Sequence, residues 1–169
     1  RLQLDKNELT HPILKGNITS IYQDSEGELW IGSWEEGLHH VKTDGTIEIF
    51  EYDAKNPYSI SSNFVRACCE DNLGNIWIGT FNGLNRYDKS TGLFQNHTAS
   101  DAQSDGLTHS SIWCIVKDNQ GTLWLGTYFG GVNYFNPEYE IYSRYMYSPI
   151  EKKGLSNPVV GRTIEDKDG

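Results

Sequence analysis

Asp71-Asn-Leu-Gly74-Asn-Ile-Trp77-Ile-Gly79 is one of three stretches that share the pattern Asp-x-x-Gly-x-apolar-Trp-apolar-Gly. The one before it is Asp24-Ser-Glu-Gly27-Glu-Leu-Trp30-Ile-Gly32, and the one after it is Asp118-Asn-Gln-Gly121-Thr-Leu-Trp124-Leu-Gly126. Trp30, Trp77 and Trp124 stand 47 residues apart, and a fourth copy opens at Asp166-Lys-Asp-Gly169, 48 residues after Asp118. A period held this closely marks a repeat architecture, and its length is that of a propeller blade, roughly 40–50 residues.

Working outward from the pattern, each copy reads as four short strands. Apolar residues stand six and three positions before the Asp: Ile18 and Ile21, Val65 and Cys68, Ile112 and Ile115, with Val160 and Thr163 in the fourth copy. Asp-x-x-Gly then turns the chain, since Asp bonds its own backbone two residues on and Gly accepts positive φ. Strand two covers 29–33, 76–80 and 123–127. A second Gly opens strand three at Gly37, Gly83 and Gly131, and strand four follows at 47–52, 93–97 and 141–146. A four-stranded unit cannot bury both faces alone, so neighbours must stack on it around an axis. The fold class is all-β, a β-propeller segment of about three and a half four-stranded antiparallel blades. The frame predicts the outer strand of a preceding blade over 1–10, where Leu2 and Leu4 lie, and complete blades over 13–52, 60–98 and 107–147. It predicts the start of a following blade over 155–169. The three Trp are expected to wedge between adjacent sheets.

Composition agrees. Seventeen Gly, an aromatic share of 12% and a single Met suit short strands and tight turns. The longest apolar run, Ile112 to Val116, is too short to span a membrane. A net charge of −9 repels phosphate backbones and anionic lipid, which argues against nucleic-acid partners and direct membrane contact. Cys68, Cys69 and Cys114 are odd in number and lack C-x-x-C spacing, so they are expected to be buried thiols and neither a disulfide framework nor a metal site.

Asp24, Asp71, Asp118 and Asp166 fall at the same turn of different blades and cannot converge as an acid–base pair. His39 and His40 alternate across a strand and cannot share a metal. His97 and His109 have no second ligand at useful spacing. The segment Ser100 to Gly106 reads as a surface loop with too few oxygens for calcium. No nucleophile motif and no phosphate loop is present, so no cofactor, metal or catalytic residue is expected. One position recurs suggestively. Four residues after each Trp comes an aromatic, Trp34, Phe81 or Tyr128, with Glu35, Asn82 and Phe129 beside them. Recurrence places these residues in a ring at one end of the propeller, where aromatic faces stack on sugars or pack between blades.

Ser59-Ile-Ser-Ser-Asn63-Phe-Val65, Glu70-Asp71-Asn-Leu-Gly74-Asn-Ile-Trp77-Ile-Gly-Thr80 and Gly83-Leu-Asn-Arg-Tyr-Asp88 resemble the two-component regulator propeller repeat. Tyr52-Asp53-Ala-Lys-Asn56-Pro57-Tyr-Ser59 resembles that family's loop between blades. The first blade departs from the second in carrying His39-His40 in place of Asn85-Arg86. The resemblance implies the periplasmic sensor region of a hybrid two-component histidine kinase of the Bacteroidetes, responding to a glycan-derived ligand. Partners are then an oligosaccharide and either the remaining blades of the propeller or a second copy. The alternatives are a propeller for protein–protein contact and a glycan-active enzyme. An enzyme should show acidic, His or Tyr residues that break the repeat and converge.

Overall fold

The computed structural model describes residues 16–99, 106–138, 141–149 and 154–167. These form twelve strands and no helix. The first sheet holds β1 (Ile18–Gln23), β2 (Leu29–Ser33), β3 (Leu38–Val41) and β4 (Ile47–Phe50). The second holds β5 (Val65–Glu70), β6 (Ile76–Thr80), β7 (Gly83–Asp88) and β8 (Leu93–His97). The third holds β9 (Ile112–Lys117), β10 (Leu123–Thr127), β11 (Val132–Asn136) and β12 (Ile141–Tyr145). Each is an antiparallel meander paired in chain order. The first strands pack on one another, β1 on β5 and β5 on β9, so they line the axis and the sheets radiate from it as propeller blades.

The Asp at each turn does more than bond its own backbone. Asp71 Oδ1 accepts the N–H groups of Leu73 and Asn75, both at 2.9 Å, while Oδ2 accepts the indole Nε1–H of Trp77 at 2.7 Å. Asp24 and Trp30 repeat this at 2.9 Å, and Asp118 and Trp124 at 2.8 Å. The carboxylate thus fixes both the turn and the rotamer of the wedge. The turn glycines Gly27, Gly74 and Gly121 sit at φ of 84°, 82° and 84°, a conformation few other residues adopt without strain.

Two apolar clusters fill the spaces between blades. Trp30 of the first blade packs with Val65, Cys68, Ile76, Ile78 and Tyr87 of the second. Trp77 of the second packs with Ile112, Ile115, Leu123, Leu125 and Phe135 of the third. Trp30 and Trp77 are wedges as expected. Trp124 is only half-buried, and it stacks on Tyr134 (centroids 4.7 Å) and Tyr145 (6.5 Å) of its own blade. The expectation of three buried wedges is corrected here, because no following sheet covers that face among the described residues.

Two further expectations change. Strand four of the first blade ends at Phe50, two residues early, because the Tyr52 N–H turns to Asn63 Oδ1 at 2.6 Å. The stretch 159–165, within the expected start of a following blade and holding Val160 and Thr163, is not in a strand. An inner strand draws its ladder from the second strand of its own blade, and among the described residues no strand follows Tyr145. The stretch instead bonds the third blade, Gly131 N–H to the Pro158 carbonyl and Val160 N–H to the Thr127 carbonyl, both at 2.9 Å. The expected outer strand over 1–10 and the loop Ser100 to Asp105 lie outside the described residues.

Candidate functional site

The connection between second and third strands is built the same way in every blade. The hydroxyls of Ser33, Thr80 and Thr127, all fully buried, donate to the carbonyls of Gly37, Gly83 and Gly131 at 2.9, 3.0 and 2.9 Å. The next residue is the recurring aromatic. Its N–H is fixed to the chain just before strand one: Trp34 to Asn17 O at 2.9 Å, Phe81 to Phe64 O at 3.0 Å, and Tyr128 to Ser111 O at 3.1 Å. Gly37 at φ 76° closes the first connection so tightly that a Cβ there would stand 2.2 Å from the Phe50 carbonyl. With both ends tied down, the aromatic side chains project from one end of the propeller. Trp34, Phe81, Tyr128 and Phe129 are 38%, 55%, 37% and 57% exposed. Glu35 and Asn82 are exposed on the same turns.

A second device places three more side chains on this end. Each inner strand skips one residue in its pairing with strand two, a β-bulge between Ile18 and Ser20, between Val65 and Ala67, and between Ile112 and Cys114. A bulge leaves one residue out of the ladder and re-aims its side chain. The bulged residues are Thr19, Arg66 and Trp113. The Arg66 guanidinium lies over Trp34 at 4.7 Å and over Trp113 at 4.3 Å. Trp113 stacks on Tyr128 at 5.3 Å, and Phe64 bridges Trp34 at 5.5 Å and Phe81 at 6.1 Å. His109 flanks Tyr128 and Phe129 at 6.5 and 6.3 Å. The recurring aromatics are thereby joined into one belt, Phe81–Phe64–Trp34–Arg66–Trp113–Tyr128–Phe129. Phe64, Arg66, Trp113 and His109 were missed from the sequence. Their signal is that the repeat keeps its geometry at the bulge while its chemistry changes, from Thr to Arg to Trp.

The opposite end carries charge. Asp24, Glu28 and His40 bring three donor atoms within 4.8 Å of one another, a grouping the adjacency of His39 and His40 had hidden. His40 Nε2 is 2.6 Å from Glu28, and its ring stacks on Trp30 at 3.8 Å. Asp24 Oδ2 already accepts Trp30 Nε1–H and the Lys89 ammonium, the latter at 3.0 Å, so an ion pair between blades fills this corner. Burial pushes the Asp24 carboxyl up, but Trp30, Lys89 and the Glu28 N–H outweigh it and hold the carboxyl below its ordinary value. The positions across from the three Trp hold His40, Arg86 and Tyr134, so the departure at His39-His40 is a change of residue in one shared slot. Cys68 and Cys69 are buried, and burial raises their thiols to about 12 and about 11, leaving them protonated at neutral pH. Cys114 departs from expectation in being half-exposed, beside the axis.

Three stretches, residues 12–35, 59–82 and 106–129, match the two component regulator propeller family. No curated protein matches the chain. Among solved structures, one described as the extracellular domain of a hybrid two component system from B. thetaiotaomicron is 23% identical, with a TM-score of 0.69 over 89% of this chain. A second, described likewise, is 18% identical, with a TM-score of 0.65 over 77% of this chain. The chain spans only 19% and 18% of those domains. A virginiamycin B lyase from Staphylococcus aureus is 16% identical, with a TM-score of 0.57 over 81% of this chain and 43% of the lyase. Identities this low show a shared fold and nothing of activity.

Proposed function

The chain is built of two component regulator propeller repeats, and on that premise we propose that it is a non-catalytic, ligand-sensing segment of a hybrid two-component sensor. Its place is the periplasmic side of the membrane, and its ligand is a glycan fragment held at the aromatic end of the blades. The observation that carries this reading is the belt. Trp34, Phe81 and Tyr128 stand at one repeat position, held outward by the same hydrogen bonds and partly exposed, while Trp30 and Trp77 of the same repeat are buried as wedges. Exposed aromatic faces beside polar groups are what sugar rings pack on. The non-catalytic part rests on where the repeat's carboxylates are used, for Asp24, Asp71 and Asp118 are engaged in turn and indole hydrogen bonds.

Calorimetric titration with neutral and acidic oligosaccharides tests the reading. One class should bind, and Trp34→Ala and Tyr128→Ala should each weaken it roughly fivefold, about the worth of one ring contact. A folded chain that binds no saccharide would favour a propeller for protein–protein contact.

A further inference from the structure

The chain carries 23 Asp and Glu against 14 Lys and Arg, yet its axial groove has the opposite character. This space of about 370 Å³ lies between β1, β5, β9 and residues 161–163, and it is lined by Arg66 and Arg162 and by no carboxylate. Arg66 is the bulged residue of β5, half-buried, with Trp34 and Trp113 against its guanidinium. A guanidinium is planar and directs its donors along its own plane. Arg66 Nε–H is buried with no acceptor among the described residues, and no described carboxylate pairs with the side chain. Trp113 Nε1–H, on the bulge of the next blade, is likewise buried with no acceptor. Buried donors are almost always answered, so two unanswered ones in one groove need an explanation. A role for Arg66 as a pillar between blades accounts for its cation–π contacts but not for these donors.

We propose that this groove is an anion subsite for the carboxylate of an acidic sugar, so that the glycan fragment sensed here contains a hexuronate. A planar carboxylate matches the fork of Arg66 with two parallel N–H···O bonds. Arg162 adds a second charge, Trp113 Nε1–H a further donor, and the belt a surface for the sugar ring. The inference rests on the glycan-sensing reading above and narrows it to a class of ligand.

The whole chain is titrated calorimetrically with a galacturonic acid disaccharide and with the neutral galactose disaccharide at one ionic strength. The acidic sugar should bind at least roughly tenfold tighter, and Arg66→Gln should weaken it roughly 10- to 100-fold, the range of a hydrogen bond to a charged group. Neutral-sugar binding should fall by a much smaller factor, so that the difference between the two sugars closes. Arg66→Lys keeps the charge but not the fork and should fall between. Trp113→Phe keeps the ring, removes the donor and should cost several-fold, so a poorly folding Arg66 variant does not close the question. Sodium sulfate should compete only weakly. Equal binding of both sugars, unmoved by either substitution, overturns the subsite and leaves the glycan reading standing. Sulfate displacing the acidic sugar at equal concentration overturns the sugar assignment in favour of a bare anion site. Binding of neither sugar overturns both readings.

Discussion

At the scale of single residues, Asp71 shows how much one side chain is asked to do. Its carboxylate, 3% exposed, answers two backbone donors of its own turn and the indole of the wedge six residues on. Asp71→Ala leaves these donors unanswered, together with the Asn75 side-chain amide that also bonds the carboxylate, and we expect a loss of about 3 kcal/mol in urea unfolding. Asp71→Asn keeps an acceptor for the turn, presents a donor to the indole, and should lose about half as much. A smaller cost for alanine than for asparagine would contradict the dual role. The turn half of this role was legible in Asp-x-x-Gly. The indole half was not, because a contact between residues 71 and 77 exists only once strands five and six are in register. The same carboxylates set the acid limit of the fold. Asp24 and Asp118 are pushed up by burial, but the indole N–H groups, Lys89 in the first case and backbone donors hold both below their ordinary value. Depressed carboxyls stabilise the folded state fully above their unfolded pKa, about 3.9, and that stability drains away as pH falls through the folded values. Urea midpoints should hold steady from pH 7 to about 5 and drop below about 4. A midpoint that rises on acidification would show that these groups are not held charged by the fold.

At the scale of the element, the three blades share one design but not one environment. The spacing of the Trp located every second strand residue for residue, because a strand bounded by two glycines has little freedom in register. The bulges were not legible, since an unpaired residue in the inner strand follows from the mismatch between neighbouring strands and leaves no mark in apolar spacing. For that reason the sequence pointed to Trp34, Phe81 and Tyr128 but not to Arg66 or Trp113, which complete the belt. Environment also separates the wedges. Trp77 is 3% exposed within the apolar cluster shared by the second and third blades, and Trp77→Ala should cost about 3–5 kcal/mol, the range for deleting a large core aromatic. Trp124 stacks on two tyrosines with one side open, and Trp124→Ala should cost about 1–2 kcal/mol because less area leaves contact. Equal costs in chemical denaturation would mean that the third blade's outer face is covered in solution.

At the scale of the whole molecule, that open face has a complement at the other end of the arc. Each wedge sits on four positions of the following blade: Cys68, Ile76, Ile78 and Tyr87 receive Trp30, and Ile115, Leu123, Leu125 and Phe135 receive Trp77. The corresponding positions of the first blade are Ile21, Leu29, Ile31 and Val41. None of the four is buried, and Ile21 is 68% exposed. The described residues therefore present a wedge, Trp124 with Tyr134 and Tyr145, at one end and, at the other, a seat for such a wedge that none of them fills. A contact joining the two is head-to-tail, and repetition around the propeller axis turns each added copy toward ring closure instead of a straight filament. Apolar faces of this kind seldom stay bare in water. We expect the chain by itself to associate as its concentration rises in sedimentation velocity, and Ile31→Glu, which puts a charge into the seat without touching Trp30 or Trp77, to return it to a monomer. A monomer at every concentration, for the parent chain as for the variant, would show that this seat does not accept the Trp124 wedge.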